Sequence, residues 1–216
     1  MARKPTAILI SGRGSNMQAL LDAAKEPDYP ARIVRVISNV RDAAGLKRAE
    51  AAGIATSVIE HRAFDGRAAF DAALDQALRA DGVELVCLAG FMRLLTADFV
   101  DGWRDRLINI HPSLLPAFPG LDTHARALAA GVRFTGCTVH FVRPTMDEGP
   151  IIVQAAVPVL DGDDEPTLAA RVLAAEHKAY PLALRLVASG RAKVVGARVQ
   201  IDGQQAPEGP VFNPSP

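Results

Sequence analysis

The sequence predicts one α/β domain built on an open, mostly parallel sheet with an antiparallel C-terminal part and helices on both faces. Three observations predict it. A chain of 216 residues, 49% hydrophobic and 22% charged, has the size and apolar content for one compact core. Its first half alternates short β-branched apolar runs with longer helical patterns, the signature of βαβ units and a parallel sheet. Beyond Pro112 that rhythm gives way to a proline-rich loop, a short helix and two successive strand-like runs.

In chain order, the strand-like runs of the first half are Ala7 to Ile10, Arg32 to Ser38, Thr56 to Ile59 and Leu85 to Ala89. Between them, Asn16 to Lys25, Ala43 to Ala52 and Asp65 to Ala80 carry Ala, Leu and charged residues at helical spacing. Gly53 and Gly82 follow two of these patterns, as helix-ending glycines do. Leu107 to Ile110 reads as a fifth strand whose end meets Pro112. Pro112, Pro116 and Pro119 with Gly120 exclude a continuous helix or a central strand, so this segment is a loop. A short helix near Thr123 to Ala130 follows, then strands over Gly136 to Val142 and Ile151 to Val157. The acidic turn Asp161 to Pro166 leads to a long helix from Thr167 to Ser189. A strand over Lys193 to Ile201 and a Pro-rich, frayed tail close the chain. With no internal repeat and no separating linker, the whole reads as a Rossmann-like single domain over residues 1–216. Its phosphate-binding half covers about 6–110, its catalytic half about 111–190, and a short tail 191–216.

Lys plus Arg balance Asp plus Glu at 24 each, so no broad field invites nucleic acid or an anionic membrane, although a local cationic pocket is allowed. The apolar run at Ala7 to Ile10 is too short for a signal-peptide core, and no stretch approaches the roughly 18 apolar residues of a membrane span. A cytoplasmic location is the expectation. Cys87 and Cys137 each sit in an apolar strand-like segment without a second ligand at metal spacing, and read as reduced core residues.

The run Ile10-Ser11-Gly12-Arg13-Gly14-Ser15-Asn16 follows the first strand and opens the first helix, where unpaired N–H groups and the helix dipole favour an anion. Two glycines let the backbone approach a phosphate, while Ser15 and Asn16 can donate hydrogen bonds or cap the helix. Met17 stands where a dinucleotide fingerprint has its third glycine, and the Lys of a nucleotide-hydrolase loop is missing. A mononucleotide-sized phosphate fits better than NAD or ATP; a purely structural turn and helix cap is the alternative.

Asn109-Ile110-His111-Pro112 places two polar side chains at alternating positions of a strand end, so Asn109 and His111 share a face. Ligand sites in open parallel sheets collect at the carboxyl ends of strands, where this pair falls. An amide can donate to a developing oxyanion and a histidine can move protons near neutral pH. The alternative is a satisfied core histidine beside a turn. Asp147 sits on a loop between strands, where an ordinary solvated acid is also expected; folded against His111, it would stabilise the imidazolium and orient the ring. His140 is expected to be a structural hydrogen-bonding residue. His111, His124, His140 and Asp147 could each ligate a metal, but no His-x-x-x-His or Cys-x-x-Cys spacing joins them, and no metal is expected.

Taken together, Gly-x-Gly-Ser-Asn, Leu88-Ala89-Gly90-Phe91-Met92-Arg93, Asn109-Ile110-His111-Pro112-Ser113-Leu114-Leu115-Pro116 and Asp147-x-Gly149-Pro150 resemble the folate-dependent formyltransferases. The Gly-Ser-Asn loop and Glu176-His177 narrow the resemblance to the glycinamide ribonucleotide group, from about Ala7 to Gly190. The resemblance implies 10-formyltetrahydrofolate as co-substrate, a phosphorylated glycinamide as acceptor, and direct acyl transfer with no covalent enzyme intermediate. It implies that Asn109, His111 and Asp147 act on the formyl group. Gly14, Ser15 and Asn16, with Glu176 and its preceding turn Leu173, Ala174 and Ala175, would hold the acceptor. Arg67, the segment Met92, Arg93, Leu94 and Leu95, Asn109, and the loop Arg143, Pro144, Thr145, Met146 and Asp147 would surround the folate. Partners would be small molecules only, with the chain a monomer or homodimer.

Two positions depart from the group's pattern. Arg13 stands where a small or neutral polar residue is usual, and either adds a cation near the phosphate or faces water. Glu148 replaces a usually small residue, with a side chain able to point outward. The rival activities are a 10-formyltetrahydrofolate hydrolase, which carries an additional N-terminal domain, and a methionyl-tRNA formyltransferase, which carries an additional C-terminal one. A non-catalytic phosphoribosyl-ligand sensor is the rival of another class, and it has no evident need for Asn109, His111 and Asp147 together.

Overall fold

In the computed structural model, residues 2–203 and 209–214 are described. Met1, 204–208 and 215–216, and with them part of the expected tail, lie outside the described residues. The first strand, β1 (Lys4–Ile10), shows why the apolar runs are continuous: Ala7, Ile8, Leu9 and Ile10 are all fully buried. Successive side chains point to opposite faces. Ile8 and Ile10 join one core with Met17, Leu20 and Leu184, whereas Ala7 and Leu9 join a second with Phe70, Leu74 and Trp103. A strand buried on both faces has no polar alternation to display.

After β1 come α1 (Ser15–Ala23), β2 (Ala31–Ser38), α2 (Ala44–Ala51), β3 (Thr56–Val58), α3 (Arg67–Ala80) and β4 (Leu85–Leu88). Next are α4 (Ala97–Gly102), β5 (Leu107–His111), α5 (Thr123–Ala129), β6 (Phe134–Phe141) and β7 (Ile151–Pro158). The long α6 (Glu165–Ala188) and the pair β8 (Ala192–Val195) and β9 (Arg198–Ile201) end the series. Seven strands form one sheet in the order β3-β2-β1-β4-β5-β6-β7. The pairs from β3 to β5 are parallel, and β5-β6 and β6-β7 are antiparallel, as expected. Helices α1, α2 and α6 pack on one face, and α3 and α4 on the other.

Helix α6 is begun by Asp164, whose carboxylate accepts from the Thr167 N–H at 2.9 Å, with Pro166 in the first turn. It is pinned beneath the sheet by Tyr180, fully buried, whose hydroxyl lies 3.0 Å from the Leu88 carbonyl and 3.2 Å from that of Ile108. Burying side chains of the size of Val172, Leu184 and Val187 contributes roughly 1.5–3 kcal/mol each. Both cysteines are free and buried, and burial pushes each thiol up to about 12. No helix among the described residues is long and apolar enough to cross a membrane.

Two elements differ from expectation. Helix α4 was not foreseen: at six residues it is too short to show a period, and its start is marked only by Thr96, which accepts from the Phe99 N–H at 3.4 Å. The strand expected over Lys193 to Ile201 is instead the hairpin of β8 and β9, a separate two-stranded sheet turning at Gly196-Ala197. The alternation on either side of that turn mimics one longer strand.

What matters for function is where the chain changes direction. From β1 it runs outward to β2 and β3, then returns to place β4 on the other side of β1. Between the carboxyl ends of β1 and β4 lies a switch point, the place where open α/β sheets hold ligands.

Candidate active site

At that switch point the loop after β1 meets the segment after β4. The Ser11 N–H donates to the Gly90 carbonyl at 3.0 Å, and the Met92 N–H donates to Ser11 Oγ at 2.8 Å. Ser11 Oγ in turn donates to Asn39 Oδ1 at 2.5 Å. The result is a cavity of about 240 Å³ lined by residues 11–16 with Ala89, Gly90 and Met92. Gly14 is the residue before α1, at φ 71°, and no side chain caps the helix. A side chain at Gly14 would put its Cβ 2.8 Å from Gly45 Cα, so the loop and the start of α2 approach as only two glycines can.

Asn16 does not cap the helix; its side chain crosses to α6 and donates from Nδ2 to Glu176 Oε2 at 2.6 Å. Its Oδ1 is buried without a partner among the described residues. Leu173 lies one turn before Glu176 on the same side of α6, partly buried. Ala174 and Ala175 instead line a separate groove of about 440 Å³ with Val153 and Gln154 of β7 and do not line the phosphate-loop cavity.

Burial raises the Glu176 carboxyl above its ordinary 4.5, with the Asn16 bond pulling the other way. A carboxyl raised in the fold binds more protons there than in the unfolded chain, so stability is full below 4.5 and is lost as pH rises through the folded value. Glu176→Gln is therefore expected to melt higher than the parent at neutral pH, with the difference closing below 4.5. Melting curves across pH check this, and a lower melting temperature for the variant at neutral pH would contradict it.

The second cluster sits at the end of β5. His111 is 6% exposed; its Nε2 donates to the Phe118 carbonyl at 2.9 Å, and its Nδ1 lies 3.5 Å from Asp147 Oδ2. The latter is an electrostatic contact at the outer edge of hydrogen-bond range. Both ring nitrogens thus face oxygen atoms. Asp147 Oδ2 also accepts from the Gly120 N–H at 2.9 Å, and Asp147 has φ 59°, a left-handed conformation that Asp tolerates. The loop carrying Phe118 is held by Ser113, whose hydroxyl donates to the Ala117 carbonyl at 2.6 Å, and by Thr138, which bonds Ser113 and Leu115 backbone groups.

Antiparallel pairing sets Asn109 directly opposite His140. His140 Nδ1 donates to the Phe141 carbonyl at 3.1 Å, leaving Nε2 to accept from Asn109 Nδ2 at 3.3 Å. Burial pushes the His140 pKa down, and the neutral ring is the one able to accept. One Asn109 N–H is thereby spent on orientation and the second is free. Sequence reasoning treated His140 as structural; its place beside Asn109 follows only from the register of β5 and β6. His124 also escaped that reasoning as a neighbour of His111: burial lowers its pKa, and its buried Nδ1 has no partner among the described residues.

Gly149, which the sequence offered only as part of the Asp147-x-Gly149-Pro150 motif, proves to be a point of close backbone approach. A Cβ there would lie 1.5 Å from the Phe141 carbonyl oxygen and 3.2 Å from His140 Nδ1. Gly149→Ala is expected to force the backbone apart, lowering stability by about 3 kcal/mol and disordering His140. Urea unfolding measures it; a midpoint equal to the parent's would show the approach to be slack.

The expected folate residues fall in two groups. Met92, Leu94 and Met146 are 68%, 58% and 52% exposed, and with Leu121 at 75% they are large apolar side chains on the segments around the cluster. Leu95 is partly buried, and Pro144 and Thr145 are exposed. Arg67 is exposed at the start of α3, and Arg93 is partly buried with its Nε unpartnered. Arg143, by contrast, turns to Asp105, donating to Oδ1 at 2.5 Å. Glu148 is exposed and points outward.

A family model described as formyl transferase matches residues 4–184. The phosphoribosylglycinamide formyltransferase of Escherichia coli (strain K12) is 47% identical, over 93% of this chain and 94% of that protein. The trifunctional purine biosynthetic protein adenosine-3 of Bos taurus is 55% identical over 87% of this chain and 19% of its own length, so the chain spans about a fifth of that relative. The crystal structure of glycinamide ribonucleotide transformylase 1 from Symbiobacterium toebii matches with a TM-score of 0.90 and 52% identity, covering 92% of this chain and 94% of that one.

Proposed function

The chain belongs to the formyl transferase family, and on that premise we propose that it transfers the formyl group of 10-formyltetrahydrofolate to the amine of a 5-phosphoribosylglycinamide, a step of purine biosynthesis. One observation carries the reading: the uncapped loop after β1 and the Asn109–His111–Asp147 cluster after β5 share one edge of the sheet, with only β4 between their strands. Two strand spacings are about 10 Å, a span that a phosphoribosyl unit bridges from phosphate to amine. The apolar side chains Met92, Leu94 and Met146 suit the flat ring system of a folate beside the same cluster.

In this reading the acceptor amine attacks the formyl carbon, a C–N bond forms, and negative charge gathers on the formyl oxygen. The free Asn109 N–H donates to that oxygen, its amide held in place by His140. His111 adds a proton donor. Its Nε2 is anchored on Phe118 at 2.9 Å, whereas Nδ1, at 3.5 Å from Asp147, is the loosely held nitrogen able to serve the oxyanion. Asp147 stabilises the imidazolium and takes the amine proton through a water; the folate nitrogen leaves once protonated, so the proton lost by the amine is balanced by the one gained by the leaving group. No step requires a metal. With both cysteines reduced and buried, the cytoplasm is the compartment this reading favours.

The test is to mix the protein with 10-formyltetrahydrofolate, with and without the ribonucleotide, and follow deformylated folate by absorbance. Release is expected only when the ribonucleotide is present. Release that ignores it would make the protein a hydrolase, and no release would make it a binding protein.

A further inference from the structure

Arg13 lines the cavity at the switch point, and among the described residues it is the sole charged one to do so, with no carboxylate in the lining. Among the described residues its guanidinium makes no hydrogen bond or ion pair, whereas Arg35, Arg143 and Arg171 are each tied to a carboxylate. The backbone on both sides of Arg13 is held. The Gly12 carbonyl accepts from the Gly45 N–H at 3.0 Å, and Gly14 is wedged against Gly45 with no room for a side chain. The residue between them is exposed at the cavity wall. Around it, α1 begins with no side-chain cap among the described residues and with no acidic residue in its first turn.

We propose that Arg13 is a specificity-determining residue that pairs with the phosphate of the acceptor, so that the loop selects a phosphorylated acceptor over its unphosphorylated counterpart. This rests on the acceptor assigned above and adds to it the side chain that supplies the charge. The loop N–H groups provide direction but only partial charge. A guanidinium provides a full charge and a planar pair of donors matched to two phosphate oxygens. It also has the length to follow the phosphate as the sugar settles toward Asn16 and Glu176.

The experiment compares the parent, Arg13→Gln and Arg13→Lys with two acceptors, the phosphorylated glycinamide ribonucleotide and the corresponding unphosphorylated riboside, at saturating 10-formyltetrahydrofolate. Arg13→Gln is expected to raise KM for the phosphorylated acceptor roughly tenfold, with the loss confined to KM, and to leave the riboside's KM where it was. Arg13→Lys should recover part of the loss, and added salt should raise the parent's KM more steeply than that of Arg13→Gln. A KM for Arg13→Gln within about twofold of the parent's would overturn the assignment, with Arg13 then facing water. An equal rise for both acceptors would also overturn it, by making Arg13 a support of the loop. A parent that transfers to neither acceptor overturns the acceptor reading itself, and is told apart by appearing before any substitution is made.

Discussion

Replacing His111 with alanine is expected to lower kcat for formyl transfer by about a thousandfold while the ribonucleotide still binds. The change deletes the proposed proton donor and leaves Asp147 facing an empty space where the imidazole lay 3.5 Å away. It also removes the donor to the Phe118 carbonyl, loosening the loop that Ser113 and Thr138 otherwise hold. The phosphate loop is two strands distant and shares none of these contacts, so acceptor binding measured by calorimetry should survive. His111→Asn, which keeps a polar side chain of similar bulk, separates lost chemistry from lost packing. Activity near the parent's in both variants would remove His111 from the mechanism.

Asn109→Ala is expected to cost on the order of a hundredfold in kcat, since a single oxyanion donor is worth about 3 kcal/mol when the site is preorganised. The preorganisation is visible: Asn109 is fixed from the side by a neutral His140, itself fixed by the Phe141 carbonyl. His140→Ala should therefore reproduce part of the loss, because Asn109 would remain but turn freely. Steady-state kinetics of the two single variants and the double variant decide the matter. If the two losses simply add, His140 does not work through Asn109.

Much of this arrangement is legible in the amino-acid sequence, for identifiable reasons. The doubly buried strands announce themselves as apolar runs, and Pro112 to Gly120 can be nothing but a loop. The pairing of Asn109 with His111 follows from the two-residue repeat of a strand. Whatever depends on two distant segments meeting was not legible. His140 faces Asn109 because β6 runs antiparallel in one particular register, and a slip of a single residue would have turned it away. Asp147 reaches His111 through a left-handed turn that an isolated Asp does not signal. Short α4 carries too few residues for a period, and the β8-β9 hairpin hides in an alternation that continues across its turn.

The bond from Asn16 to Glu176 joins residues 160 positions apart. As the chain is synthesised, β1 and its loop emerge long before α6, and until that last helix docks, Asn16 has no anchor. On the proposed reading, acceptor binding is thus coupled to completion of the fold, because contacts of such sequence separation form only after the intervening chain has been ordered. A chain ending before α6 would keep the loop after β1 but lack the bond that steers Asn16, and on the proposed reading it would hold the acceptor weakly.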